Sequence, residues 1–300
     1  MNDINIDYKN LVKYFLSEFK NSKKISSYKH VDEHITDNKL VGDVYISDTF
    51  KTLPDGDIRF TIMISPFSAK EKNASSQLLV YNGIKLIDSR PWEKEVLIRT
   101  GIMDAVAIKA SGLTCTNEDR ILYVGSGKIA QVSLAAMIKN FGDNLLVDYI
   151  RASDKPSEEL QSIYQKAKFT KKSVVNFEDY SYIFCHTNSS DIIINRNNLK
   201  NTSKLKLLTY YIDSSIGFEV EPEWLELFVK EYSENRLFVD VPETIKLKKE
   251  FQLIKHDPRK IKSLVDVLNS KDKPDNSHPL VFRSGGSALQ NTFLYESLYE

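Results

Sequence analysis

Six residues, Gly125-Ser126-Gly127-Lys128-Ile129-Ala130, stand where the apolar run Ile121 to Val124 ends and an amphipathic stretch begins. Val132, Ala135, Ala136 and Ile138 of that stretch share one helical face. A G-x-G-x-x-A that closes a strand and opens a helix has the form of a dinucleotide phosphate loop. Gly125 permits the tight turn, Gly127 lets the backbone approach a pyrophosphate, and Ala130 allows close packing of helix on strand. The N–H groups of the first helical turn, at Lys128 and Ile129 with Ser126 just before them, favour a doubly negative group, aided by the helix dipole. The same glycines would suit a turn that holds no ligand; the strand before and the helix after weigh for phosphate.

Two more candidates lie where apolar strands stop. Tyr182 to His186 (YIFCH) ends at Thr187-Asn188, and Leu205 to Ile212 (LKLLTYYI) ends at Asp213. Parallel strands present their carboxyl ends to a common crevice, where Gly125, Thr187 and Asp213 would stand. A carboxylate at the tip of a buried strand is partly desolvated, which suits an acid/base group. An Asp there also caps a following turn or helix. His30 and His34 are the one close histidine pair, with charged surroundings and no third ligand near, so no metal site is expected.

The elements that must position these groups fall into two patterns. Up to about residue 113 the chain reads as α+β: a helix from Asp7 to Phe19, strands at Gly42 to Phe50, Ile58 to Pro66 and Gln77 to Tyr81, and one long helix from Glu93 to Gly112. Lys20 to Lys39 shows little periodicity. After the polar segment Thr114 to Asp119 strands alternate with helices: Asn144 to Ile150, a helix from Glu158 to Lys168, a short strand at Ser173 to Val175, and Leu237 to Val241. Glu243 to Asn269 reads as helical, the segment around Pro274 as a linker, and Ser287 to Leu298 as a closing helix. The 300 residues are 41% hydrophobic and 27% charged, an ordinary globular composition. Forty-one basic residues balance 41 acidic ones, so no global field draws the chain to nucleic acid or to an anionic membrane. Cys115 and Cys185 form no C-x-x-C pair and read as small buried hydrophobes in a reduced compartment. The start, MNDINIDYKN, lacks the apolar core of a secretory signal, and no apolar run nears the ~20 residues of a membrane span. The cytoplasm is the expected location.

Four stretches together resemble the ornithine cyclodeaminase and mu-crystallin family. Leu97-Ile-Arg-Thr-Gly101 is similar to its R-T-A/G signature, and Tyr123 to Gln131 to its dinucleotide loop. Asp213 to Glu219 (DSSIGFE) is similar to its D-x-x-x-x-x-E segment, and Val281 to Asn291 to its carboxyl-terminal S-x-G-x-A-x-x-D segment. The resemblance implies a Rossmann-type domain, residues 116–275, inserted into an α+β substrate and dimerisation domain, residues 1–115 with 276–300. It implies an NAD(P)-dependent oxidoreductase of amino, imino or keto acids that works as a homodimer on a small carboxylate-bearing substrate. A dinucleotide- and ligand-binding protein without turnover is the alternative. Arg99 would anchor the substrate carboxylate with two parallel hydrogen bonds, with Thr100 beside it at the cofactor. Arg59 occupies a slot that relatives fill with lysine; it keeps the charge but does not readily give up a proton. Ser284 would touch the nicotinamide amide, and Thr187 with Asn188 would line the cofactor. The acid that prefers NAD at the end of the second strand is replaced by Arg151, with Ser153 beyond it. A planar cation and a hydroxyl suit a 2′-phosphate, so NADP is the preferred cofactor, with NAD possible. Asn291 in place of the family aspartate, and Gly217 where a lysine is frequent, argue against ornithine cyclodeaminase itself.

Overall fold

The computed structural model describes residues 6–22, 26–36, 39–52, 58–68, 73–74, 76–153, 155–187, 191–211, 218–232, 236–242, 245, 249–253, 261–271 and 277–300. Asp213, Gly217 and Asn188 lie outside these residues. The chain forms two compact units, Met1–Phe19 with Thr100–Gly285 and Lys20–Arg99 with Gly286–Glu300.

In the unit Lys20–Arg99 with Gly286–Glu300, β1 (Ser26–Thr36), β2 (Lys39–Thr52), β3 (Ile58–Ser68), β5 (Gln77–Asn82) and β6 (Lys85–Pro91) pair antiparallel in that order, and the short β4 (Asn73–Ala74) pairs with β3. β1 lies in the stretch without periodicity. Its sequence, SSYKHVDEHIT, has no alternation of charged and apolar residues, and what makes it a strand is the long ladder with β2. Alternation along the sheet buries Thr49, Thr61, Met63, Leu78 and Val80. The other side chains include Phe50, Phe60, Tyr81 and Leu86, aligned across four strands, with the rings of Phe50 and Phe60 stacked at 4.3 Å.

The C-terminal helix Ala288–Tyr299 lies on β1, β2 and β3. Every residue from Ala288 to Glu296 is buried, so its polar side chains need partners. Trp92 Nε1 donates to Asn291 Oδ1 (3.1 Å), Arg99 Nη1 to Gln290 Oε1 (3.0 Å) and Lys51 Nζ to Glu296 Oε2 (2.7 Å). The Tyr299 hydroxyl donates to Glu95 (2.9 Å), and the Arg90 guanidinium lies 3.7 Å from the Tyr299 ring centroid.

In the unit Met1–Phe19 with Thr100–Gly285, all strands of one sheet run parallel. They are β7 (Arg120–Val124), β8 (Leu146–Ile150), β9 (Lys168–Phe169), β10 (Tyr182–Cys185), β11 (Leu207–Tyr210), β12 (Leu237–Val239), β13 (Lys262–Ser263) and β14 (Leu280–Arg283), in the order β13-β12-β14-β11-β10-β7-β8-β9. β10, β11, β12 and β14 are buried at every residue, as strands covered on both faces must be. Leu122, Val124, Ile183, Leu208, Val239 and Val281 form the middle of this core, and Trp224, Leu225 and Phe228 of a helix, Pro222–Glu231, pack against it. The chain starts with α1 (Tyr8–Asn21), whose Leu11, Val12 and Phe15 are buried as its periodicity predicts.

The expected single helix from Glu93 to Gly112 is two, α2 (Glu93–Gly101) and α3 (Met103–Ala110), interrupted at Ile102 and ended by Gly112 at φ +77°. α3 packs on α4 (Lys128–Phe141). The two units divide at Phe19/Lys20, Arg99/Thr100 and Gly285/Gly286, where the sequence suggests cuts near residues 115 and 275. The strand expected at Ser173 to Val175 does not form: Lys172–Val174 is a 3-10 turn, with Val174 exposed. The expected helix Glu243 to Asn269 is broken by β13, and a capping box between Ser263 and Asp266 starts a separate helix at Leu264.

Candidate functional site

The strand order reverses at β7: β8 follows on one side and β10 lies on the other. Ligands of open α/β sheets bind outside the carboxyl ends of the strands at such a point. Gly125 begins the turn there at φ +111°, and its N–H donates to the Ile150 carbonyl (2.8 Å) at the tip of β8. A Cβ on Gly125 would fall 2.9 Å from the carbonyl carbon of His186 and nearer still to its oxygen, so only glycine fits. Gly127 differs. Its φ is −71°, which any residue adopts, and a Cβ there would meet nothing within 4 Å. It is the N-cap of α4 without a side-chain cap, and the space that a side chain there would take is open. Open space over an uncapped helix end fits a phosphate group. Ser126 stays engaged through its carbonyl, which accepts from Gln131 Nε2 (3.2 Å).

Arg151 follows β8 directly, half-buried, with Nη1 donating to the Pro156 carbonyl (3.3 Å); Ser153 is exposed. Thr187, two residues past β10, donates from its N–H (3.0 Å) and its hydroxyl (2.9 Å) to Glu219 Oε1, while Tyr211 N–H donates to Glu219 Oε2 (2.8 Å). Glu219 is buried and ties the ends of β10 and β11 together. Ser284 follows β14, buried, and donates from its hydroxyl to Asp240 Oδ2 (3.3 Å). Gly125, Arg151, Thr187 and Ser284 thus all follow carboxyl ends of the parallel sheet. Thr100 is buried, and beside it Gly101 lets the end of α2 approach α4: a Cβ there would lie 2.7 Å from Val132 Cβ and 2.9 Å from the Ile129 carbonyl oxygen.

Arg99 and Arg59 belong to the antiparallel unit. The Arg99 guanidinium is buried on Gln290, and Gly286, at φ +69°, makes room for it: a Cβ there would lie 2.9 Å from Nη2. Two motifs that are distant in sequence therefore meet. Arg59 Nη1 lies 2.6 Å from Glu300 Oε2 and 3.6 Å from Glu296 Oε1, so two carboxylates at the end of the C-terminal helix share its charge. Among the described residues no group of three or more His, Cys, Asp or Glu is arranged to hold a metal, and no helix is long and apolar enough to cross a membrane. Burial pushes the Cys115 thiol up to about 12 and the Cys185 thiol well above its usual range.

Sequence reading misses a buried network beneath the switch point. Asp104 of α3 accepts from four side chains: the hydroxyls of Ser133 and Thr209, the Tyr211 hydroxyl (2.6 Å) and His186 Nε2 (2.7 Å). The Tyr123 hydroxyl lies 3.0 Å from Ser133 Oγ. The His186 ring is flanked by Tyr211 (4.7 Å) and Tyr123 (5.9 Å). Burial first, and the Asp104 charge second, push both tyrosines far above their usual range, so both stay neutral donors. The signal available in the sequence is a lone carboxylate inside an apolar helix, Ile102-Met-Asp104-Ala-Val-Ala-Ile108.

No protein-family model matches the sequence, and no curated protein matches it. Solved structures do. The pyrroline-2-carboxylate reductase of Thermococcus litoralis, in complex with NADH and L-proline, superposes with a TM-score of 0.72 at 13% identity over 98% of this chain and 93% of its own. A probable ornithine cyclodeaminase from Bordetella pertussis gives 0.74 at 12% identity over 97% and 91%, and the iminosuccinate reductase of Paracoccus denitrificans, in complex with NAD+, gives 0.72 at 11% over 97% and 90%. At such identity the likeness speaks for architecture, and the architecture of this chain is the ornithine cyclodeaminase-like fold, with its Rossmann-type parallel sheet.

Proposed function

We propose that this chain is an NAD(P)-dependent oxidoreductase acting on a small amino, imino or keto acid, distinct from ornithine cyclodeaminase itself. The observation that carries the reading is the uncapped amino end of α4 beneath the open Gly127, at the switch point of a parallel sheet. Structures of the same fold, solved with NADH and L-proline or with NAD+, support it. In this reading Gly125 to Ile129 lie along the pyrophosphate, and Thr100, Thr187, Asn188 and Ser284 line the rest of the dinucleotide. Arg151 and Ser153 hold a 2′-phosphate, which gives NADP the preference over NAD. The dinucleotide supplies or accepts the hydride when bound; Arg99, with Arg59, holds the substrate carboxylate and Asp213 moves the proton. The protein is cytoplasmic and works as a homodimer, its contact the sheet face that carries the exposed Phe50 and Leu86 beside Phe60 and Tyr81. Neither nucleic acid nor membrane is a partner.

One observation favours a second reading, a protein that binds dinucleotide and a small ligand without turnover: the Arg59 charge is already shared by Glu296 and Glu300. The deciding experiment follows NADH and NADPH oxidation across a panel of 2-keto acids with amines, and the reverse reaction with cyclisable amino acids. The enzyme reading expects turnover and a loss of roughly a hundredfold in Asp213→Asn, the scale of a general acid/base contribution. Tight dinucleotide binding with no turnover on the whole panel selects the second reading, and no dinucleotide binding refutes both.

A further inference from the structure

We propose that Asp104 and His186 are positioning residues of the dinucleotide site, Asp104 fixing the His186 imidazole with Nε2–H inward and His186 holding the turn after β10 against Gly125. The inference rests on the dinucleotide reading above. Its ground is a hydrogen-bond pattern that a carboxylate at Asp104 satisfies in one way. A carboxylate is acceptor-only, and Asp104, with no exposed surface, receives three hydroxyls and one imidazole nitrogen. His186 Nε2 must therefore carry a proton. Nδ1 is buried and has no hydrogen-bond partner among the described residues. A proton on Nδ1 would leave a buried donor unmet between two tyrosine rings, so the hydrogen-bond geometry favours the Nε2–H tautomer.

The network joins five of the elements around the crevice. Asp104 comes from α3, Ser133 from α4, Tyr123 from β7 two residues before Gly125, His186 from the end of β10, and Thr209 and Tyr211 from β11 and its end. Backbone geometry carries its effect to the phosphate loop: His186 N–H donates to the Val124 carbonyl (2.8 Å), and the His186 carbonyl fills the space that a side chain on Gly125 would take. Releasing the imidazole from Asp104 frees the carbonyl that Gly125 packs on.

The test compares the wild type with Asp104→Asn and His186→Gln, measuring the dissociation constant of NADPH and the 15N shifts of the His186 ring. The free wild type should show a protonated Nε2 and an unprotonated Nδ1. Asp104→Asn presents an amide N–H to Nε2, which should move the proton to Nδ1, where no acceptor waits; the ring must shift to relieve that buried donor, and NADPH should weaken roughly tenfold or more. His186→Gln can still donate to Asp104 from its amide, so its affinity should stay within about threefold of the wild type, a rescue that mere loss of packing would not give. If Asp104→Asn does not fold, His186→Ala takes its place and should show the same weakening beside the retained affinity of His186→Gln. Wild-type affinity in Asp104→Asn or His186→Ala overturns the proposal, as does an Nδ1–H tautomer in the free wild type. A wild type that shows the expected tautomer yet binds no dinucleotide overturns the proposed function, and this inference with it.

Discussion

Gly125 and Gly127 sit two residues apart, and alanine should act on them in opposite ways. At Gly127 two stability effects nearly cancel. Removing glycine freedom from the unfolded chain stabilises by ~0.4–1 kcal/mol where φ is compatible, as −71° is. Alanine is a poorer N-cap than glycine by roughly 0.5 kcal/mol, which offsets most of that gain. No neighbour lies within 4 Å of the added methyl, so no packing strain enters. In the proposed phosphate site the methyl would occupy the open space at the amino end of α4 that the pyrophosphate needs. Each hydrogen bond to a charged phosphate oxygen contributes ~1.5–3 kcal/mol, and losing even one weakens the dinucleotide by a factor of about ten to a hundred. Gly125→Ala should instead destabilise the fold by about 2 kcal/mol or more, because φ of +111° is strained for any L side chain and the Cβ meets the backbone of His186. Urea unfolding gives the stabilities and NADPH fluorescence titration the affinities. Normal NADPH affinity in Gly127→Ala refutes the phosphate assignment, and unchanged stability in Gly125→Ala refutes the packing account.

Three further outcomes are expected. Arg99→Ala should leave NADPH affinity within a few fold and abolish turnover of a carboxylate substrate, with poor rescue by Arg99→Lys, which lacks the planar fork; steady-state kinetics at the wild-type rate in both variants would remove Arg99 from the anchor role. Arg151→Ala should cost ~1.5–3 kcal/mol for NADPH and little for NADH in parallel titrations, and an equal loss for both cofactors counts against the 2′-phosphate contact. Burial raises the Asp119 carboxyl, but Lys206 Nζ at 2.6 Å and the N–H and hydroxyl of Thr116 outweigh it and hold the carboxyl below its usual range. That stabilisation is present above the unfolded carboxylate value of about 3.9 and is lost as pH falls through the lower folded value. Lys206→Gln should therefore narrow the gap between urea midpoints at neutral pH and at about pH 2, and an unchanged gap would assign the acid sensitivity to other groups.

What the sequence makes legible is the part whose physics is local. The strand, the glycine turn and α4 are written in consecutive residues, and so are the buried strands β10 and β11, whose apolar runs have little other use. β1 escapes because its partner lies outside it: the ladder with β2 overrides a charged, aperiodic sequence. The break between α2 and α3 escapes because Ile102 is no breaker, and only the packing of Gly101 on α4 shows where the chain must bend. Arg59 is legible as a cation at a known slot, but its pairing with Glu296 and Glu300 spans some 240 residues and leaves no local trace. The Asp104 network fails in sequence reading for the same reason, since its members come from five separate elements.

The C-terminal helix also sets an order of events at the ribosome. β1 to β6 are complete by Pro91, whereas the helix that covers β1 to β3 begins at Ala288, roughly two hundred residues later. At ~5–20 residues per second the gap lasts about 10–40 s. During that interval the nascent sheet holds Met63 without Asn291 of the helix, and Lys51 and Arg59 without the carboxylates of Glu296 and Glu300. The parallel unit, whose strands all lie between Arg120 and Arg283, is synthesised in the meantime. The antiparallel unit, begun before the parallel strands, is thus finished only after them, and a chaperone that shields apolar strands would find its client in the uncovered β1 to β3.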